Sequence, residues 1–412
     1  MDSEGPSTTT VPPQKWTPSA TEASHSTVLE EHCSASFMTP YATVIAMTAL
    51  YLLAVFILCK KGKKMCFPVS DRIFPYQKRM RKLKRELQHL IVEDENIEVD
   101  DVLLGQDHCG YIFMGGVFPK TQNRFNQKVA AAVKVSFPIV HKSLGLLEEA
   151  VALSKLDHPN IIKLVAVSNL SFIAFRPLIA FEWLPGGSLN DYFHHHIREK
   201  TDNTRPMVLL KDILAILIQV SEALLHIHST VDEFATEMIH GNVTSRSILI
   251  SELNLSKCVA KLGDFGVKPN SGPMPVAWLP PEIIFSTDIN PRHRPESDVW
   301  MFGVLMWECL TLGAKPHYRR SMEEIKRSIK LPDRGLPCPP TSPLEVWQLV
   351  TDCMAEAHQR PRFASGATSR NTITARLKGL RRVVTSAIVL HPIPNSSNCT
   401  CPEHRCSTVS FQ

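Results

Sequence analysis

At 412 residues the chain has room for one domain of about 250 to 300 residues together with flanking segments. Its 44% hydrophobic and 21% charged residues are ordinary for a globular protein, which excludes a chain that is disordered throughout. A net charge of +5 points to no particular partner, nucleic acid included.

Residues 1–40 are rich in Ser, Thr and Pro and have little to bury, so they read as a disordered extracellular stub open to O-glycosylation. They contain no Asn and therefore no N-glycosylation site. The run YATVIAMTALYLLAVFIL at 41–58 carries neither a charge nor a polar stripe and is just long enough to cross a bilayer, which predicts a transmembrane helix over 41–59. Lys60, Lys61, Lys63 and Lys64 follow directly. By the positive-inside rule the N-terminus lies outside and everything after the run is cytoplasmic. The opening MDSEGPS has neither the basic start nor the early apolar core of a cleaved signal peptide, so the span is expected to act as its own anchor. The eleven cysteines are scattered and lie nearly all on the predicted reducing side, which argues against a disulfide framework. Cys59 and Cys66 flank the lysines at positions compatible with palmitoylation.

Residues 60–97 form a basic juxtamembrane segment that turns acidic. Lys78, Arg79, Arg81, Lys82, Lys84 and Arg85 fall on a helical stretch. If they face the bilayer, each adds about 1 kcal/mol of attraction to anionic lipid; the alternative is a solvated linker helix. From 98 to 380 the pattern is that of a folded domain. VAAAVKV at 129–135 is strand-like, LLEEAVALS at 146–154 is helical, and LKDILAILIQVSEALLHIHS at 210–229 repeats apolar residues at helical spacing and is core. His194, His195 and His196 read as a solvated helix face, because adjacent helical positions diverge. The tail 381–412 is predicted to be disordered. Its Cys399, Cys401, His404 and Cys406 are too tightly spaced for a known zinc pattern.

Two loops carry chemistry. IHGNVTSRSILI at 239–250 is a polar turn held between apolar segments, and AKLGDFGV at 260–267 places one carboxylate at a tight turn. Together with PVAWLPPE at 275–282, SDVWMFGVLMWECLTLGAKP at 297–316 and QRPRF at 359–363, these resemble the motifs of protein kinases in order. Trp278 is typical of the tyrosine-kinase branch, as is Arg246. The resemblance implies an α+β, bilobal protein kinase-like fold preceded by one transmembrane helix.

It also assigns roles. Leu104, Gly105, Gly110 and Ile112 fall on the glycine-rich loop, Ala132 and Leu249 on positions that sandwich adenine, and Lys134 on the phosphate-contacting lysine, with Glu149 as its partner. Phe181 takes the gatekeeper position, with Glu182 and Leu184 in the hinge. Asp264 matches the magnesium-binding Asp, and Ser247 stands where a second metal ligand, an Asn, is expected. Glu282 and Arg360 match a structural ion pair, and Asp298 an acidic anchor in a buried helix.

The departures matter more than the matches. Asn242 stands where the family has its Asp base, and a carboxamide cannot take a proton from a substrate hydroxyl. Asp107 replaces the middle glycine of the phosphate loop, where a side chain obstructs the backbone and a carboxylate repels phosphate. Gly241 replaces the Arg that reads activation-loop phosphate, and the segment after Gly266 is short and has no tyrosine. The expected protein is a membrane-anchored pseudokinase that can bind ATP and Mg2+ but transfers phosphate badly. Its partners would be membrane lipid and proteins that dock on the kinase-like domain. A slow but active tyrosine kinase is the alternative.

Overall fold

The computed structural model describes residues 44, 47–50, 70–107, 109–118, 128–173, 176–201, 203–231, 236–265, 276–288, 291–363, 371–384 and 388–393. Two compact units divide between Pro75 and Tyr76. Within the first, the described residues 44 and 47–50 are helical, with Val44, Met47 and Leu50 exposed. No helix among the described residues is long and apolar enough to cross a membrane. The rest of the span expected at 41–59 lies outside the described residues, as do 266–275 after the second loop and the cysteine-rich end of the tail.

The second unit begins in helix α1 (Ser70–Glu86), whose later turns bury Met80 and Leu83, followed by Leu87, in the main apolar core. The packing corrects the expectation of a solvated linker helix. Arg79 pairs with Glu148, Lys82 lies 3.9 Å from Glu86, and Lys84 donates to Asn169 at 3.0 Å, so half of the six basic side chains contact protein. Charge counted along the sequence could not show which face was apolar, because only three positions make that stripe.

The first lobe is a six-stranded sheet. After β1 (Ile91–Val92) come β2 (Ile97–Gln106), β3 (Gly110–Val117) and β4 (Val129–Ser136), then α2 (Val140–Ser154), β5 (Leu164–Ser168) and β6 (Leu178–Glu182). The strand order is β1-β5-β6-β4-β3-β2, antiparallel except for β1 beside β5. β4 buries Ala131 and Val133 completely on one face, and its register sets Lys134 opposite Ile112 and Ile179. Gly110 opens β3 because a Cβ there would meet Val135 O at 2.1 Å.

The second lobe is helical. A short α3 (Leu189–Asp191), capped by the Ser188 hydroxyl, widens into a π-helical turn over Tyr192–Arg198. The histidines stay on a solvated face, as expected, but that widening changes how the first two of them diverge. In a π turn, positions four and five residues apart overlie one another, so His194 and His195 both reach the Glu199 carboxylate at 2.9 Å. His194, His195 and Glu199 are exposed, and His196 is partly covered against Tyr192.

β7 (Val208–Leu209) leads into α4 (Leu210–Ser229), which buries its Leu and Ile stripe, each such side chain contributing about 1.5 to 3 kcal/mol. β8 (Ile248–Ile250) and β9 (Ala260–Leu262) form a small antiparallel ribbon. α5 (Pro281–Ile284) and α6 (Pro295–Leu310) follow. α6 is apolar almost all round and accordingly buried along nearly its whole length. α7 (Met322–Ser328), α8 (Leu344–Cys353) and α9 (Ile373–Val383) complete the lobe. Beyond α9, β10 (Val389–Leu390) pairs with β7, and Arg198 donates to Ile393 O at 2.9 Å, so the start of the predicted disordered tail belongs to the fold.

Candidate functional site

The buried helix α6 holds the first chemical loop with two carboxylates. Asp298 accepts from the backbone N–H of His240 at 2.8 Å and of Gly241 at 2.7 Å, while His228 contacts the same carboxylate at 2.8 Å. Burial alone would raise the Asp298 carboxyl, but the His228 hydrogen bond, the nearby imidazoles and the His240 N–H bring it below the usual range. Three turns later Glu308 accepts from Ser245 N and Oγ and from Trp278 Nε1 at 2.9 to 3.1 Å. Arg246 lies 5.5 Å over the Trp278 ring. The loop is thus fixed from beneath at two points.

Gly241 adopts φ +72°, a region where a Cβ is strained. Here the sequence reading of a missing phosphate sensor gains a local reason, since glycine relieves the backbone at this turn. His240 is completely buried. Its Nε2 lies 3.0 Å from Gly263 O, its Nδ1 accepts from Asn242 N at 3.1 Å, and its ring centroid is 4.4 Å from that of Phe265. Burial pushes the His240 imidazole down to about 4, so it is neutral.

Asn242 faces the second loop. A carboxylate and a carbonyl can only accept, so the amide nitrogen of Asn242 is turned toward them. It donates to Asp264 Oδ2 at 2.9 Å and to Asp264 O at 3.0 Å. Asp264 itself sits at φ +59°. Ser247, the other expected metal ligand, is buried and turned inward. Its hydroxyl donates to Thr244 O at 2.8 Å and accepts from Thr244 N at 3.0 Å.

On the opposite wall Lys134 is buried between two carboxylates. Its Nζ lies 3.2 Å from Glu149 Oε2, the pair expected from the sequence, and makes a still closer ion pair with Asp107. Burial by itself would lower the Lys134 ammonium; Glu149, Asp107 and Asp264 together hold it well above its ordinary value. Asp107 is correspondingly lowered against the opposing effect of burial, chiefly by Lys134. Its other oxygen accepts from Cys109 N and Gly110 N, each at 2.8 Å.

These groups line one cleft of about 670 Å³. The structure brings together in it Leu104, Gly105, Ile112, Ala132, Lys134, Glu149, Phe181, Glu182, Leu184, Asn242, Ser247, Leu249 and Asp264. Gly110 lies just behind, in the turn that holds Asp107. Sequence reasoning missed the clasp between Lys261 and Glu182, at 2.7 and 2.9 Å, which ties β9 to the end of β6. The alternation in β9, buried Ala260 and Leu262 around a partly exposed Lys261, marked that side chain as outward-facing but gave no partner for it.

A profile of the family described as protein tyrosine and serine/threonine kinase matches residues 99–368, roughly two thirds of the chain. The chain belongs to this protein kinase family, in its tyrosine-kinase-like part. It is 60% identical over 386 residues to protein nipi-4 of Caenorhabditis elegans, covering 93% of this chain and 97% of that one. It is 32% identical over 231 residues to the tyrosine-protein kinase transforming protein ros of UR2 avian sarcoma virus, covering 53% of this chain and 54% of that protein. It is 26% identical over 318 residues to ephrin type-A receptor 3 of Danio rerio, covering 29% of the receptor.

Kinase-family domains generally bind ATP with magnesium, and this cleft fits only half of that ligand. Ala132, Phe181, Leu184 and Leu249 supply an apolar slot of the kind a planar base enters. Magnesium needs oxygen donors in near-octahedral array. Here an amide N–H points at Asp264, and the Ser247 hydroxyl is engaged by Thr244. The ammonium that would meet phosphate is paired with two carboxylates. The phosphate and metal half does not fit.

Proposed function

We propose that this kinase-family chain is a membrane-anchored pseudokinase, working as a signalling scaffold or allosteric partner and not by phosphoryl transfer. The observation that carries this reading is the Asn242 carboxamide donating to Asp264, where the family has a proton-accepting carboxylate. A positioned base contributes 10²- to 10⁴-fold, so its loss raises the barrier by about 3 to 5 kcal/mol. Among the described residues the frame around it is retained. The bidentate pair of Arg360 with Glu282, at 2.7 and 2.9 Å, and the two carboxylates of α6 hold shape and perform no chemistry.

Membrane anchoring is supported by the apolar run at 41–58 and the lysines after it. Protein partners would dock on the kinase-like domain. Tyr318, partly exposed, is the candidate for a phosphorylation-dependent docking point, whereas the hydroxyl of Tyr76 is buried.

The test is a phosphotransfer assay on the full-length chain in mild detergent, with tyrosine peptides, magnesium and labelled ATP. Transfer at background level is expected, unchanged in Asn242→Ala. Turnover that Asn242→Ala abolishes would overturn the reading.

A further inference from the structure

Asp107 lines the cleft beside Lys134. Its carboxylate is held at both ends: one oxygen by the N–H groups of Cys109 and Gly110, the other by the ammonium of Lys134. The backbone N–H of Asp107 also donates to Gly110 O at 3.0 Å, closing the turn on itself. Gly110 cannot move toward β4, because even a Cβ there would meet Val135 O at 2.1 Å. The side chain is therefore pinned across the cleft, mostly buried, and it sets a negatively charged oxygen on Lys134, as a phosphate would.

We propose that Asp107 is a built-in occupant of the phosphate subsite, so that the cleft selects an uncharged or cationic planar heterocycle and rejects nucleoside polyphosphates. Charge supports the selection. Among the described residues five carboxylates line the cleft against the cations Lys134 and Arg246; Glu182 is paired with Lys261 at the rim, and Lys134 is already shared between Asp107 and Glu149. A polyphosphate entering this space must displace Asp107 from Lys134 and leave that carboxylate beside its own negative charge. A neutral or positively charged ring meets no such penalty and can use the apolar slot at Ala132, Phe181, Leu184 and Leu249. Asp107 is the side chain that fills the phosphate subsite itself, since Lys134 and Glu149 are otherwise arranged to receive an anion.

This inference rests on the pseudokinase reading of the same cleft, and the two fail separately. The experiment is a titration of the full-length chain in mild detergent, with adenosine and ATP each competing against a fluorescent adenosine analogue, with and without magnesium. The wild type is expected to bind adenosine at least as tightly as ATP. Asp107→Gly, which restores the residue of the family loop, is expected to gain ATP affinity by about tenfold or more, the scale of one hydrogen bond to a charged group. Its adenosine affinity should change little. Asp107→Asn keeps the turn contacts and the shape but not the charge, and should gain part of the ATP affinity even if the glycine variant proves unstable. ATP binding tighter than adenosine in the wild type overturns the proposal. So does a ranking that neither variant shifts. Wild-type ATP binding tighter than adenosine but without phosphotransfer would defeat this inference and leave the pseudokinase reading standing; phosphotransfer would defeat that reading.

Discussion

The amide nitrogen of Asn242 donates to the carboxylate of Asp264 at 2.9 Å, joining the two loops that carry the site. An Asp at 242 would set carboxylate against carboxylate. The substitution that abolishes a base therefore also makes the bond between the loops, and this relation governs the first prediction.

Asn242→Asp will destabilise the domain by about 1 to 3 kcal/mol, the cost of a lost donor and an opposed charge. For a domain of this size that lowers the thermal midpoint by roughly 2 to 4 °C per kcal/mol. Magnesium chloride should recover part of the loss in the variant, because two facing carboxylates make a cation site, and should leave the wild type unchanged. Thermal unfolding with and without the salt reads both effects. A variant as stable as the wild type would show that the Asn242 contact contributes nothing.

Lys134→Met, the usual substitution for silencing a kinase, will act here through folding. It leaves Asp107 and Glu149 buried without their cation, and breaking such an arrangement costs about 3 to 5 kcal/mol. Adding Asp107→Asn to the same chain should recover a measurable part. Denaturant midpoints of the single and double variants test this. Equal midpoints would mean that the two side chains do not interact.

Acid should weaken the fold between pH 6.5 and 4. Burial holds His240 neutral, its imidazole lowered from 6.5 to about 4, so on acidification the unfolded chain takes a proton before the folded one does. The stabilisation is complete above pH 6.5 and is lost progressively as pH falls toward 4, to a total of about 3 kcal/mol. His317, also pushed down to about 4 by burial and by Arg320, adds in the same direction. His240→Phe should show a shallower loss of stability over this window in urea melts taken at successive pH values. An unchanged slope would place the titration elsewhere.

Gly241→Ala will cost about 1 kcal/mol, because φ +72° strains any Cβ. Gly241→Arg, which restores the family residue, should carry the same penalty and bring no gain in the absence of a phosphate to contact. Chemical denaturation of the two variants decides it; a stabilised Arg variant would mean that its side chain finds a partner in the loop.

The kinase-like architecture was legible because its signals are local. Period-3.6 apolar residues in α4, an apolar strand around Lys134 and a tyrosine-kinase-type Trp278 each declare themselves within a few residues. The Lys134–Glu149 and Arg360–Glu282 pairs were also within reach, since they come with the family frame. The clasp of Lys261 with Glu182 was not, because it joins residues 79 apart that no motif links. The convergence of His194 and His195 on Glu199 was missed because it depends on a π turn, which sequence spacing read as an ordinary helix conceals.

Residue type alone determined that position 242 cannot serve as a base, since no environment makes a carboxamide accept a proton at neutral pH. It determined as well that position 107 carries a side chain and a negative charge. Only the tertiary structure decided where those groups point. An Asp in a loop can face water or a lysine, and here the turn closed by Gly110 aims it at Lys134. An amide can offer either of its ends, and the carboxylate of Asp264 across the cleft fixes which one. Direction is a property of the whole fold, because it is set by partners that lie tens of residues away in the chain.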